Sequence, residues 1–209
     1  MSVGIVRELQ ISFREREVLD PRVGEPIQSV EAVARLMSFL RFAADEEVYA
    51  LILDVERKLI CIRQVSRGGR HETSLDAASL FRAALLAEGT ALIVVHNHPS
   101  GGVRPSQADI DATTKVVMAG IALHLPLLDH VVIGGKAEYS FAQSGMLRFL
   151  EAKALRVLGF HVPDVKHPEE REREVRAAFA NLGKKPDAES PMIEPPLAEY
   201  VELAHTEGR

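Results

Sequence analysis

The stretch TALIVVHNHPSGGVRPSQADIDATTK, residues 90 to 115, limits the fold more than any other part of the chain. Its first half is a short, nearly unbroken apolar run. A run of that length without alternation reads as a strand covered on both faces, and such a strand needs packing on each side of its sheet. The run closes on His96 and His98. A Gly/Pro-rich loop follows, and then a second apolar pattern at helical spacing begins at Ser106, with Ile110, Val117 and Ile121 among its inward positions.

The flanking sequence supplies elements to provide that cover. QSVEAVARLMSFLRF has Ser29 as a cap and apolar residues at Val30, Val33, Leu36, Met37 and Leu40, which predicts a first helix. EVYALILDVERKLICIRQV predicts an antiparallel hairpin, its two strands separated by the charged DVERK turn. SLDAASLFRAALLAEG predicts a helix capped by Ser74 or Asp76 and stopped at Gly89. After the Ser106 helix, LPLLDHVVIGG and KAEYSFA predict another strand pair joined at Gly134 and Gly135, and GMLRFLEAKALRVLG a closing helix. Helices interleaved with runs of strands give an α/β (α+β) fold around a central mixed β-sheet.

The chain divides into an N-terminal arm over 1–27, a domain over 28–158 and a tail over 159–209. The arm carries one edge-strand candidate, VRELQISF. Six of the eleven prolines lie in the last fifty residues, a density that prevents a compact continuation of the sheet. Within that tail PEEREREVRAAFANLG has helix punctuation, DAESPMIEPP reads as flexible, and LAEYVELAH predicts one last helix.

Charge and cysteine content narrow the function. A formal net charge of -5 disfavours a protein whose main task is gripping phosphate backbones, although a local basic patch remains compatible with it. Cys61 is the only cysteine, so no intramolecular disulfide and no cysteine-based zinc knuckle can form. A reducing cytoplasm fits. No segment approaches the roughly 18 apolar residues of a membrane span, so no membrane partner is expected. Oligomeric state leaves no mark.

The chemistry is concentrated where the apolar run ends. Residues i and i+2 of a strand share a face, so His96 and His98 present two imidazoles side by side. Ser106 and Asp109, three residues apart in a first helical turn, also share a face, and Asp109 is the natural third ligand for a zinc ion. Each part also has a plainer reading. An HxH pair can be merely the polar end of a strand, and Ser106 with Asp109 can be a helix cap with an acidic third residue. Glu46 and Glu47, where the first hairpin strand starts, are either solvated charges or candidates for the general base; both cannot point inward. Ser106 is a candidate donor to a tetrahedral oxyanion.

At these residues the sequence resembles the JAMM metalloprotease motif of MPN (JAB) domains: an upstream Glu, then His-x-His, seven residues, Ser, two residues and Asp. The match here is His96, Asn97, His98, PSGGVRP, Ser106, QA and Asp109. ALILDVERKLI and LPLLDHVVIG widen the resemblance to the bacterial RadC-like branch, over about residues 28 to 143. The resemblance implies a cytidine-deaminase-like core flanked by helices, a single Zn2+ held by His96, His98 and Asp109, and Ser106 beside the metal. It implies hydrolysis of a protein or peptide substrate, with a ubiquitin-like tail among the candidates. It places the upstream Glu on Glu46 in preference to Glu47. Longer RadC-like proteins begin with a DNA-binding helix-hairpin-helix module, and the arm before residue 28 is too short for one, so a DNA-repair role transfers poorly. A non-catalytic binding module in DNA repair or mobile-element biology is the rival expectation.

The other reactive side chains read as structural. His130 is expected in a core strand beside Asp129, His71 in a solvated loop, and Cys61 as a small buried hydrophobe. Arg67, Arg70 and Arg104 are expected to be scattered surface charges rather than a basic rim.

Overall fold

A computed structural model describes residues 12–15, 24–68, 75–162 and 164–170. Most of the expected N-terminal strand, Ser74, the loop bearing Arg70 and His71, and the tail beyond residue 170 lie outside the described residues.

The first helix starts as its cap predicts. The Ser29 hydroxyl accepts from the Ala32 amide, and α1 runs Val30–Leu36. The expected continuation to Leu40 differs in geometry: Ser38–Phe42 tightens into a 3-10 turn, which keeps Met37 and Leu40 buried against the sheet. The hairpin follows as β1 (Glu47–Leu53) and β2 (Leu59–Arg67), antiparallel. Asp54 makes its turn, accepting from the amides of Glu56 and Lys58, while Arg57 takes a left-handed φ of 63°. In α2 (Ala77–Leu86) the cap is Asp76, which accepts from the Ala78 amide. Gly89 serves a different purpose from the expected stop. The left-handed residue is Glu88, at φ 55°, whereas a Cβ on Gly89 would fall 2.3 Å from Ile52 Cγ2.

The remaining elements are β3 (Ala91–Asn97), α3 (Gln107–Leu123), β4 (Leu127–Ile133), β5 (Glu138–Ser140) and α4 (Met146–Val157). They complete a mixed sheet of order β2-β1-β3-β4-β5, in which β3 and β4 run parallel and the other neighbours antiparallel. Its two faces explain the apolar run. Ile52, Leu92, Val94 and Val132 project into a core with Leu80, Val117 and Leu150 of α2, α3 and α4. Leu51, Ile93, Val95 and Val131 project the other way, against Val33 and Met37. All seven β3 residues are buried, because helices cover both faces of the sheet's middle strand. Each large aliphatic side chain buried there contributes about 1.5–3 kcal/mol.

After α4 the described chain stays close to the domain. Phe160, Val162 and Val165 pack on Ala152 and Leu155, so the segment expected to act as a linker begins packed against α4. Residues 168–170 are helical, as the punctuation at Pro168 predicts.

One buried carboxylate ties β4 to the turn after β5. Asp129 accepts from the Ser140 hydroxyl at 2.6 Å and from the amides of His130 and Ala142 at 2.7 and 2.9 Å. Burial outweighs these bonds and pushes its pKa up to about 6. A carboxyl raised in the folded state stabilises the fold most below its unfolded pKa near 4, and that contribution is lost as pH rises through about 6. Asp129→Asn can still accept both amides and removes the titration. In urea unfolding, the stability of the wild type relative to this variant should fall by about 2 kcal/mol between pH 4 and pH 7. A stability difference that is flat with pH would contradict this.

Candidate metal centre

β3 delivers the two histidines. His96 lies opposite Val48 of β1 and beside Val132 of β4, so it faces the side covered by α2, α3 and α4. His98, two residues on, turns to meet it. The loop over 99–105 is laid against the β4–β5 turn: the His98 amide donates to the Ile133 carbonyl, and the Gly135 amide to the Gly101 carbonyl. Gly134 permits that approach, since a Cβ there would lie 2.5 Å from Val103 Cγ1 and 2.6 Å from the Gly101 carbonyl oxygen. Arg41 steadies the same turn, donating to the Gly134 carbonyl at 2.9 Å and pairing with Glu138.

At the end of the loop come Ser106 and Asp109, which cap α3 and bring a carboxylate beside the two imidazoles. They form a capping box: the Asp109 amide donates to Ser106 Oγ at 3.2 Å, and the Ser106 amide donates to Asp109 Oδ2 at 2.6 Å. The Ser106 hydroxyl also donates to Oδ2, at 2.7 Å. Both bonds that the carboxylate accepts from Ser106 fall on this one oxygen. The other, Oδ1, lies 3.3 Å from His96 Nε2, while Oδ2 lies 3.4 Å from His98 Nε2 and the two Nε2 atoms are 3.0 Å apart.

These separations suit a shared cation. Two ligands about 2.0–2.1 Å from a tetrahedral zinc lie about 3.3 Å from each other. The three donor atoms, all within 4.8 Å of one another, form the metal-capable cluster of His, Cys, Asp and Glu among the described residues. The electrostatics agree with the ligand role. Burial drives the His96 pKa down to about 4, assisted by His98 and opposed by Asp109, so its imidazole is neutral at physiological pH. Burial works against the Asp109 carboxylate, but His96, the Ser106 hydrogen bonds and His98 outweigh it and hold its pKa below the usual range.

The two candidate bases separate cleanly. Glu46 is half-buried just before β1, and burial together with the Asp109 charge raises its pKa, opposed by His98. Both groups that act on it belong to the cluster. Glu47 faces the other side of the sheet, accepting from the Tyr49 hydroxyl at 2.7 Å and Gln64 at 3.0 Å and lying 3.3 Å from Arg67.

Sequence reasoning passed over Asn97, the residue between the histidines. It is buried, accepting from the Glu47 amide at 2.9 Å and donating to the Asp45 carbonyl at 3.0 Å. It therefore pins the backbone on either side of Glu46. The available signal was a buried amide in an apolar run, which requires partners of its own. His130, expected to be structural, is fully buried with Nε2 2.8 Å from His96 Nδ1. Thr113, another residue not anticipated, touches His130 Nδ1 at 2.6 Å. Cys61 is half-buried in β2, and burial raises its thiol pKa. Arg67 pairs with Asp45 and Glu47, and Arg104 is exposed, 3.7 Å from Glu169. Among the described residues no helix is long and apolar enough to cross a membrane.

Residues 27–146 match the family model of the RadC-like JAB domain. A "UPF0758 protein" of Porphyromonas gingivalis is 36% identical over 147 residues, covering 70% of this chain and 65% of the relative. Another, of Flavobacterium johnsoniae, is 34% identical over 145 residues, covering 69% and 63%. The chain thus spans a little under two thirds of the length of these curated relatives.

Zinc analysis of purified protein provides the test of the cluster. The wild type should hold about one zinc per chain, as a three-ligand site does. His98→Ala and Asp109→Ala, checked for folding by circular dichroism, should each lose it. Full retention by either variant would remove that residue from the ligand set.

Proposed function

The chain belongs to the RadC-like JAB domain family, and from that premise we propose that it is a zinc-dependent hydrolase of peptide or isopeptide bonds. The observation that carries this reading is the convergence of His96, His98 and Asp109, with the half-buried carboxylate of Glu46 close enough to feel the charges of Asp109 and His98. The match to the full JAMM spacing supports it further.

Two imidazoles and one carboxylate are the nitrogen and oxygen donors that zinc favours. Zinc bound there supplies Lewis acidity, polarising a carbonyl and lowering the pKa of water to about 7. Glu46 takes the proton of the attacking water and returns it to the leaving amine. Its raised pKa makes it a stronger proton acceptor than an ordinary exposed carboxylate. Asn97 fixes the backbone from which Glu46 projects.

Ser106 has a second role. Its hydroxyl spends its proton on Asp109 in this structure, and a turn about χ1 redirects that donor toward an oxyanion forming beside the carboxylate. The cost is the two bonds that Oγ makes to Asp109, on the order of 1–3 kcal/mol. The substrate is proposed to be an extended segment of a protein, and a single half-buried cysteine is consistent with work in the reducing cytoplasm.

Glu46→Gln should keep zinc at wild-type stoichiometry while hydrolysis of isopeptide and peptide substrates falls about 10²–10⁴-fold. Glu47→Gln should change hydrolysis by less than about tenfold, an effect confined to the orientation of its neighbour. Unimpaired hydrolysis by the Glu46 variant would exclude this base.

A further inference from the structure

Behind the cluster lies a chain of hydrogen bonds whose direction is set by chemistry. It begins at the backbone carbonyl of Asp109, which can only accept. The Thr113 hydroxyl, one helical turn on in α3, donates to that carbonyl at 2.5 Å. A hydroxyl has one proton, so Thr113 Oγ1 meets His130 Nδ1, 2.6 Å away, as an acceptor. His130 therefore carries its proton on Nδ1. It is wholly buried, and among the described residues no carboxylate bonds to its ring, so it stays neutral and its Nε2 holds a lone pair. That lone pair faces His96 Nδ1 at 2.8 Å, which must donate. His96 is left with a bare Nε2, the atom that faces His98 and Asp109.

We propose that Thr113 and His130 are positioning residues that lock His96 in its Nδ1-protonated tautomer, with the Nε2 lone pair turned toward the metal cluster. The proposal rests on the zinc reading for its purpose, but the tautomers follow from the hydrogen bonds alone. Turning the ring of His130 over does not reverse the order, because it would put carbons where Nδ1 and Nε2 now bond, and the stack on Phe141, with centroids 4.8 Å apart and planes inclined by 15°, holds the ring plane. Asp109 closes the circuit. Its carbonyl anchors the relay and its carboxylate approaches the nitrogen that the relay exposes, so α3 sets both the ligand and the orientation of its partner.

The relay also accounts for the buried polar atoms it contains. Thr113 and His130 lie within an otherwise apolar layer, where unpaired polar groups are expensive. Each finds a partner in the relay, and the sequence of partners leaves no second arrangement of protons with neutral rings and every bond made.

Nitrogen-15 NMR of the imidazoles in metal-free wild-type protein provides the first test. His96 and His130 should both appear as Nδ1-protonated tautomers. An Nε2-protonated His96 or His130 would overturn the proposal, whether or not the protein binds zinc. The second test uses Thr113→Val, which keeps the volume and removes the hydroxyl, and Thr113→Ser, which restores it. Competition with a zinc chelator should show affinity about 10–100-fold weaker in the valine variant and close to wild type in the serine variant. Equal affinity in all three proteins would also overturn it. Absence of zinc binding in the wild type would instead refute the metal centre while leaving the tautomer result to stand or fall by itself.

Discussion

Burying β3 on both faces is the constraint from which the site follows. A central strand can fill its interior with Leu92, Ile93, Val94 and Val95, but its last residues are His96 and Asn97, and these are buried as well. Polar side chains in such a place must be paired. His96 is paired through His130 and Thr113 behind it and meets His98 and Asp109 in front. Asn97, facing the other way, is paired with the backbone on both sides of Glu46. The same strand end thus orients one candidate ligand and fixes the peptide that carries the candidate base.

A second consequence concerns the loop that connects the histidines to Asp109. Seven residues rich in Gly and Pro have no core of their own, so their path is set by what they lie on. Here that support is the β4–β5 turn, where Gly134 lets the loop approach and Arg41 holds the turn from the 3-10 segment. Asp129 then joins β4 to the chain after β5. The position of Asp109 relative to the histidines therefore depends on contacts from three separate parts of the chain.

Much of this was legible in the sequence, for identifiable reasons. Periodicity and caps located the helices and strands, because Ser29, Asp76 and Ser106 each stand immediately before a helix. The candidate ligands were legible because strand and helix geometry converts spacing into direction: His98 stands two residues beyond His96 at the end of β3, and Asp109 three beyond the Ser106 cap of α3. The role of Gly89 was not, because the close approach of Ile52 is a tertiary fact that leaves no local signal. The choice between Glu46 and Glu47 depends on strand parity at a boundary, which a shift of one residue reverses. Thr113 and His130 were missed as partners of His96 because they lie 17 and 34 residues from it and meet only when α3 crosses between parallel β3 and β4.

The convergence of two imidazoles and one carboxylate is the candidate chemical centre of the molecule. X-ray absorption at the zinc edge of the zinc-loaded wild-type protein examines that claim most directly. It should show about four nitrogen or oxygen neighbours at about 2.0 Å, with the outer-shell scattering of two imidazole rings. A shell of oxygens without imidazole scattering, or zinc that is lost on exchange into metal-free buffer, would contradict it.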